Sequence, residues 1–389
     1  MRTVTSGEWR RGLREVSSLR RLEPPSWFVW AAMTVVSLLA GLDAASAQSE
    51  SVSGTSKDYL FNDSHFHLTN YIQEGTGIRD FLDIMGTTTG RVALFGIPLQ
   101  QQWSYRIDGQ QAPTYYLNSD APLYYYSFTD AWIAMAYKSL PREQQARLDP
   151  MITGFNPTDM YAADHVRRVL QTFPGVFSGI GEFTIHKEFV SAKIAGEVAS
   201  LEDPALDKLL DFAAEAGLVV LIHNDIDTPF AKEGSEPAYL NQVKALFKRH
   251  PKTSIIWAHI GVGRVIRPVK QQGAIIEQML KDSELNHLHF DISWDEVAKY
   301  AVATPTSTKA VADVINRHPE RFLFGTDEVA PGNQEQYLKV YRQYDPLWKL
   351  LNEGASEKVR KGNYERIFDA ARRKVRNWER THVKSASSQ

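Results

Sequence analysis

The sequence predicts an α/β protein folded as a parallel (β/α)₈ barrel, and three features of the chain favour this fold. Short apolar or β-branched runs recur along the chain, and each is followed by a longer segment with helical spacing. Most successive runs begin roughly 30 to 40 residues apart, which is the length of one βα unit. Eight such units close a TIM barrel of about 250 residues plus insertions. We therefore expect one catalytic domain over residues 58–376.

The eight strands are expected at residues 59–66, 91–97, 151–155, 175–183, 218–223, 254–259, 288–293 and 321–326. The segments between them, such as 203–216 and 236–250, carry apolar residues at helical spacing and predict the outer ring of helices. The exception is the stretch 101–150, which is rich in Trp and Tyr. We predict that this aromatic-rich insertion after strand 2 forms either a lid over the active site or an added packed subdomain.

Residues 1–47 have the order of a signal peptide: an Arg-rich start, an apolar run at 27–42, and the small residues Ala45-Ser46-Ala47. The apolar run of about 16 residues is shorter than the roughly 20 that span a bilayer. We expect cleavage after Ala47 and export to the periplasm or the medium. The alternative is a retained N-terminal anchor, which would be the only contact with a membrane. Residues 48–57 are expected to be a linker, and residues 377–389 a polar tail.

The charges of the chain nearly cancel, with 44 Lys and Arg against 46 Asp and Glu. No broad basic field exists that would attract nucleic acid, so we exclude that class of partner. The chain has no cysteine, which excludes disulfides, a lipoprotein attachment site and thiolate metal ligands. A metal must therefore be held by His, Asp or Glu. The expected partner is a small-molecule substrate, and assembly into a homo-oligomer is left open.

Two histidines stand at the end of the first predicted strand. His65 and His67 are two residues apart, and side chains at this spacing on a strand point to the same side. Imidazole is the commonest metal ligand near neutral pH, and the catalytic groups of a barrel collect at the C-terminal ends of its strands. The pair is therefore suited to hold a metal ion, although a lone His-X-His pair is also found in ordinary core packing.

Four further candidates fall at the C-terminal ends of later predicted strands, and they are Glu182, His223, His259 and Asp327. Each alone has the ordinary interpretation of a polar residue at a strand end. Together with the first pair, they place imidazoles and two carboxylates on one rim of the barrel. This is the donor set of catalytic zinc and related divalent ions.

A second His-X-His pair, His287 and His289, opens the seventh predicted strand rather than ending it. Residues at the N-terminal ends of the strands lie on the face of a barrel that contributes to stability rather than to catalysis. We therefore interpret this pair as structural. Asp291 and Trp294 lie at or past the far end of the same strand and are better candidates to line the pocket.

We expect His186 to lie exposed in a loop, with a supporting contact to Glu182 as the alternative. Asp225 and Asp227, just after His223, either orient ligands as acceptors or are solvated loop residues.

With these residues in order, the sequence resembles the amidohydrolase superfamily over roughly residues 59–372. The start Asp63-Ser64-His65-Phe66-His67, the later histidines and the aspartate of strand eight fall in the family's order. The segment Gly362-Asn363-Tyr364-Glu365-Arg366-Ile367-Phe368 is similar to the Gly-Asn-X-X-Arg-Leu-Phe signature of the amidohydrolase-related branch, which includes hydrolases and nonoxidative decarboxylases. Tyr364 stands where that branch commonly has alanine.

The resemblance implies metal ligands at four positions, which are His65, His67, His223 and Asp327. It implies that His259 either binds a second metal or polarises the substrate. Glu182 resembles the bridging ligand of two-metal relatives, a place often taken by a carboxylated lysine; Lys187, five residues further on, is not assigned that role. We expect one or two divalent ions, zinc in the first place, with manganese or iron as alternatives.

A bound divalent ion lowers the pKa of its water towards about 7. The expected reaction is attack of this metal-activated water on the carbonyl of a small ester, lactone or amide. Asp327 would accept the proton of the water and pass it to the leaving group. The oxyanion would be stabilised by His259, by the metal or by Arg264. Arg264 is alternatively a ligand for a substrate carboxylate, and with Trp294 it is expected to bind substrate.

Two other functions stay open at this stage. One is metal-dependent nonoxidative decarboxylation of an aromatic or unsaturated acid, which the C-terminal signature and the aromatic insertion suggest. The other is a metal-binding or ligand-binding barrel without catalysis. A bridging role for Glu182 would favour hydrolysis, and the complete set of candidate ligands argues against an inactive barrel.

Overall fold

The computed structural model describes residues 58–70, 74–97, 110, 126–188, 199–232 and 234–383. The predicted signal peptide, the linker and about half of the aromatic insertion, residues 101–109 and 111–125, lie outside these residues. Within the described part of the chain, no helix combines the length and the hydropathy that crossing a membrane requires.

Nine strands of the described chain form one sheet, in which all strand pairs are parallel. In chain order they are β1 (Phe61–His67), β2 (Thr89–Phe95), β3 (Leu148–Ile152), β4 (Gly179–Thr184), β5 (Val219–His223), β6 (Ser254–Trp257), β7 (Leu288–Asp291), β8 (Phe322–Leu323) and β9 (Glu328–Val329). Neighbours in sequence are neighbours in the sheet from β1 to β8, and β9 pairs with β1.

The sheet closes through the eighth predicted strand, which is split into β8 and β9. β8 pairs with β7, β9 pairs with β1, and the backbone N–H of Ser64 donates to the carbonyl of Phe324 at 3.1 Å. The backbone N–H of Asp327 likewise donates to the carbonyl of His65 at 2.8 Å. The prediction of an α/β barrel is therefore confirmed.

Fourteen α-helices of the described chain alternate with these strands or follow them. They are α1 (Ile78–Met85), α2 (Tyr126–Lys138), α3 (Arg142–Ala146), α4 (Ala162–Thr172), α5 (Pro204–Ala216), α6 (Leu240–Arg249), α7 (Gln272–Lys281), α8 (Asp295–Ala301), α9 (Pro305–Arg317), α10 (Gln334–Tyr337), α11 (Lys339–Gln343), α12 (Asp345–Trp348), α13 (Glu353–Glu357) and α14 (Asn363–His382). α14 extends into the segment expected as a polar tail, and Trp378 within it is buried.

Helix α5 shows how local sequence sets these elements. Asp203 precedes the helix and its carboxylate accepts the backbone N–H of Ala205, while Pro204 occupies the first helical position. Gly217 ends the helix with a φ of 79°, a left-handed conformation that glycine adopts without a steric penalty. The apolar face between these caps is buried, as its spacing predicts.

The observed strand bounds differ from the expected ones by a few residues, most clearly in three strands. β4 begins at Gly179, four residues after the predicted start. β3 begins three residues before the predicted start, because Asp149 and Pro150 broke the apolar pattern although both lie in the strand. The eighth strand is interrupted at Gly325, where a Cβ atom would lie only 2.6 Å from the Cβ of His65. The barrel can close tightly against His65 only because this position has no side chain.

The interior of the barrel is filled by side chains of the strands and of the last helix, α14. Strand residues such as Phe95, Met151 and Ile256 form one buried cluster with Tyr364 and Phe368 of α14. The last helix therefore plugs the end of the barrel that lies away from the C-terminal ends of the strands. Among the described residues, the C-terminal ends of the strands therefore form the end of the barrel that is left for a reaction site.

A buried ion network reinforces this plug. Asp149 is fully buried, and Arg91 donates to it at 2.8 Å, while Arg372 also donates to its carboxylate. The hydroxyl of Tyr364 donates to the same carboxylate at 2.7 Å. The tyrosine that departs from the branch signature thus has a structural partner in β3. The arginines more than offset the effect of burial and lower the pKa of Asp149.

Candidate metal centre

Six side chains meet at the C-terminal rim of the barrel, and we call them the strand-end cluster: His65 and His67 of β1, Glu182 of β4, His223 of β5, His259 directly after β6, and Asp327 between β8 and β9. Their side chains are buried or nearly so. These are the six residues that the sequence singled out as candidate ligands. Within the cluster, three groups of three residues could each hold a metal ion, and the groups share members. In each group, one ligand atom from every residue lies within 4.8 Å of the other two.

Asp327 lies against the histidine pair. Its Oδ1 is 3.1 Å from Nε2 of His65 and 3.1 Å from Nε2 of His67, and the two Nε2 atoms are 3.3 Å apart. Its Oδ2 is 3.8 Å from Nε2 of His259. One carboxylate therefore faces three imidazoles.

Glu182 lies between the pair and the other two histidines. Its Oε1 is 2.8 Å from Nδ1 of His223 and 3.4 Å from Nε2 of His259. Its Oε2 is 3.6 Å from Nε2 of His67, and it has no hydrogen-bond partner among the described residues. A buried carboxylate oxygen without a partner is costly, unless a cation binds there.

The outer nitrogens of the histidine pair are held by acceptors. Nδ1 of His65 lies 2.7 Å from a carboxylate oxygen of Asp291, and Nδ1 of His67 lies 3.0 Å from the backbone carbonyl of Gly96. Both acceptors require an N–H on Nδ1, so in the neutral tautomers both Nε2 atoms present lone pairs to the cluster. Two lone pairs that face each other and a carboxylate at about 3 Å favour a cation between them.

Ser293 performs the same function for His259. Its hydroxyl donates to Asp291 at 2.8 Å and therefore accepts the N–H of Nδ1 of His259 at 2.9 Å. The Nε2 atom of His259 is left with a lone pair, and it has no hydrogen-bond partner among the described residues. Burial lowers the pKa of His259, which favours the neutral imidazole. This tautomer makes Nε2 an acceptor or ligand rather than a hydrogen-bond donor.

The electrostatics of the cluster favour charged carboxylates. Burial opposes ionisation of Glu182, but Lys187 and His223 hold the pKa of its carboxyl well below the usual range. Burial also opposes ionisation of Asp327, and His65 and His259 hold its pKa well below the usual range. Conversely, Asp327 and Asp291 raise the pKa of His65 well above its usual value despite burial. A positive charge is thus favoured beside these carboxylates. A proton on His65 and a metal ion bound to His65 therefore compete with each other.

The local backbone is adapted to this crowding. Asp327 and His259 have φ values of 53° and 56°, a left-handed region that non-glycine residues adopt rarely. Strained backbone of this kind concentrates at functional sites. Gly181, just before Glu182, lies so close to β5 that a Cβ atom would be 2.6 Å from the carbonyl oxygen of Leu221.

A family model described as amidohydrolase matches residues 63–370 of the chain, which are most of its length. The chain belongs to the amidohydrolase family. The sequence resemblance to this family is thereby confirmed. A search of curated protein sequences finds no match.

This amidohydrolase is also similar in structure to several solved proteins. One is described as a 2-pyrone-4,6-dicarboxylic acid hydrolase from Pseudomonas putida, with 14% identity, a TM-score of 0.49 and coverage of 80% of this chain and 98% of that chain. A zinc-bound amidohydrolase from Burkholderia multivorans has 13% identity, a TM-score of 0.49 and coverage of 80% and 99%. A 5-carboxyvanillate decarboxylase from Sphingomonas paucimobilis has 15% identity, a TM-score of 0.42 and coverage of 74% and 82%.

Trp294 forms a wall beside the strand-end cluster. The centroid of its ring is 4.9 Å from that of His259 and 6.5 Å from that of His223. The charged groups of Lys187 and Arg264 each lie 5.4 Å from the same ring centroid. The structure therefore places both residues that were expected to bind substrate, Trp294 and Arg264, next to the cluster.

Asp225, one of the two aspartates that could orient ligands, lies 3.1 Å from Nε2 of His223. Two other partners of the cluster were not assigned from sequence. Lys187 is buried, and its Nζ is 3.9 Å from Oε2 of Glu182. Ser293 links His259 to Asp291. The only sequence signal for them is their place within five residues of a strand-end candidate, which many loop residues share.

Two other histidine predictions have different outcomes. His287 and His289 lie away from the cluster: the first donates to the carbonyl of Phe247 at 2.9 Å, and the second is 3.4 Å from a guanidinium nitrogen of Arg366 in α14. This agrees with a structural role. The expectation of an exposed His186 is wrong, because its ring is buried and stacks on Tyr239 at 3.9 Å.

Proposed function

We propose that this amidohydrolase binds a divalent metal ion in the strand-end cluster and hydrolyses the ester, lactone or amide bond of a small substrate. The observation that supports this most directly is the direction of the histidine nitrogens. His65, His67 and His259 each commit Nδ1 to an acceptor outside the cluster, so each turns Nε2 towards the two carboxylates. A donor set of imidazoles and carboxylates fits zinc first, and manganese or iron as alternatives.

Bound in this cluster, a divalent ion supplies Lewis acidity that polarises a carbonyl group and lowers the pKa of water. The chain's own residues supply the rest of the chemistry. The low pKa of Asp327 keeps it ionised at neutral pH, so its carboxylate can accept a proton from the attacking water and pass it to the leaving group. Nε2 of neutral His259 carries a lone pair, so it can act as a metal ligand but cannot donate a hydrogen bond to the substrate oxygen.

Burial of the cluster contributes to the reaction as well. The side chains of His65, Glu182 and His259 have no exposed surface, so bulk water is excluded around the reacting groups. Exclusion of water strengthens each electrostatic interaction in the site. The flat face of Trp294 beside His259 offers an apolar surface for the body of a small substrate.

The test combines metal analysis with a substrate panel. Protein purified with ample Zn²⁺ and Mn²⁺ is analysed for bound metal and assayed on lactones, esters, amides and aromatic acids. We expect bound metal and hydrolysis in the wild type, and loss of both in Glu182→Gln. The matched control is Glu188→Gln, which removes a nearby carboxylate that accepts from the backbone N–H of Arg264 and lies outside the cluster.

Two results would contradict this proposal. Wild-type protein without bound metal would remove its basis. Release of carbon dioxide from an aromatic or unsaturated acid, without incorporation of water, would replace hydrolysis by nonoxidative decarboxylation.

A further inference from the structure

Lys187 places a fixed positive charge next to the carboxylate that would bridge two metal ions. The side chain is 7% exposed, and its Nζ lies 3.9 Å from Oε2 of Glu182. It also lies 5.4 Å from the ring centroid of Trp294, which in turn contacts His259. The ammonium group is thus enclosed within the site.

A bridging carboxylate gives one oxygen to each of two ions. In Glu182, Oε1 faces His223 and His259, which together form one of the groups that could hold an ion. Oε2 faces His67, which with His65 forms another such group, but it also faces Lys187. Both oxygens are therefore aimed at imidazoles, and one of them already has a cation of the chain beside it.

We propose that the ammonium group of Lys187 takes the place of a second metal ion, so that the strand-end cluster holds one divalent ion and Glu182 does not bridge two. This rests on the proposed function, because it presupposes that the cluster binds metal. Metal–oxygen bonds are about 2 Å long, so an ion on Oε2 would lie within about 6 Å of Nζ of Lys187. Repulsion at this distance inside a buried site is large compared with thermal energy.

Metal stoichiometry tests this proposal directly. Wild type, Lys187→Met, Lys187→Arg and Arg264→Met are loaded with excess Zn²⁺ or Mn²⁺, dialysed, and analysed for metal per chain by mass spectrometry. Isothermal titration with each metal gives the affinities. Arg264→Met is the matched control, because Arg264 has the same 5.4 Å distance to Trp294 and lies 4.0 Å from a carboxylate oxygen of Glu296.

We expect one ion per chain in the wild type, in Lys187→Arg and in Arg264→Met, and two ions in Lys187→Met. The affinity for the second ion should rise by roughly 100-fold or more when the charge is removed. In the Mn²⁺-loaded Lys187→Met variant, electron paramagnetic resonance should show two coupled ions, whereas the wild type should show an isolated one.

Two ions in the wild type would overturn the proposal, and so would a single ion in folded Lys187→Met. If Lys187→Met does not fold by circular dichroism, Lys187→Gln provides the same loss of charge and should bind two ions. Two ions in the wild type would overturn the proposal whichever variant is used. Wild-type protein without metal would instead refute the proposed function, so the two failures are distinguishable.

Discussion

Removal of the Ser293 hydroxyl should weaken metal binding without removing a ligand. The hydroxyl accepts from Nδ1 of His259 at 2.9 Å and donates to Asp291 at 2.8 Å, and all three groups are buried. In Ser293→Ala the N–H of His259 loses its acceptor, and an unsatisfied buried donor costs about 1–3 kcal/mol. Loss of the partner that orients a metal-binding histidine typically weakens metal binding by about 10- to 100-fold.

The assay is isothermal titration of metal-free protein with Zn²⁺, combined with urea denaturation of the same preparations. Ser64→Ala is the control, because Ser64 is also buried, lies next to His65 in sequence, and donates to the backbone carbonyl of Phe324 at 3.0 Å. Both variants should lose some stability, but only Ser293→Ala should lose metal affinity. Equal affinities in the two variants would refute the assignment of Ser293 as the group that fixes the His259 tautomer.

Two further predictions concern stability. Tyr364→Phe removes a hydroxyl that donates to the buried carboxylate of Asp149 at 2.7 Å, so it should lower the free energy of unfolding by about 1.5–3 kcal/mol in urea titrations. Tyr344→Phe, which removes a buried hydroxyl without a partner among the described residues, should change it little, and an equal loss in both would contradict the reasoning. Burial raises the pKa of the Asp130 carboxyl from 3.8 to about 6. The protonated carboxyl therefore contributes to the free energy of unfolding in full below about pH 4, and this contribution is lost as the pH rises through about 6. In urea titrations of metal-free protein, the stability of the wild type relative to Asp130→Asn should fall by up to about 3 kcal/mol between pH 4 and pH 7, and no change with pH would disprove a raised pKa.

The positions of the cluster residues could be predicted from sequence because they depend on local rules. Alternation along a strand places His65 and His67 on one side, and the C-terminal ends of parallel strands meet at one rim. His223 follows from the same rule because it ends the apolar run of β5, and Glu182 lies near the end of β4. The same rule separates His287 and His289, which open the seventh predicted strand, from the strand-end cluster.

The partners of these residues could not be predicted, because they depend on contacts between strands distant in sequence. Asp291 is separated from His65 by 226 positions, and Ser293 from His259 by 34. No pattern within one strand shows which nitrogen of an imidazole will be held and which will be left for a metal. Lys187 was assigned no role because its place beyond β4 suggested a loop, whereas the structure buries it beside Glu182.

The two ends of the barrel have opposite energetic roles. At the rim, buried charges and the left-handed backbone of Asp327 and His259 lower the stability of the fold in the absence of a bound cation. At the plugged end, Asp149 has two arginines and a tyrosine as partners, which leaves its charge fully compensated. Substitution of Tyr364 should therefore change stability with little effect on metal affinity, whereas substitution of Ser293 should change metal affinity by more than its loss of stability explains. Because metal binding stabilises only the folded protein, excess Zn²⁺ should raise the stability of the wild type more than that of Ser293→Ala.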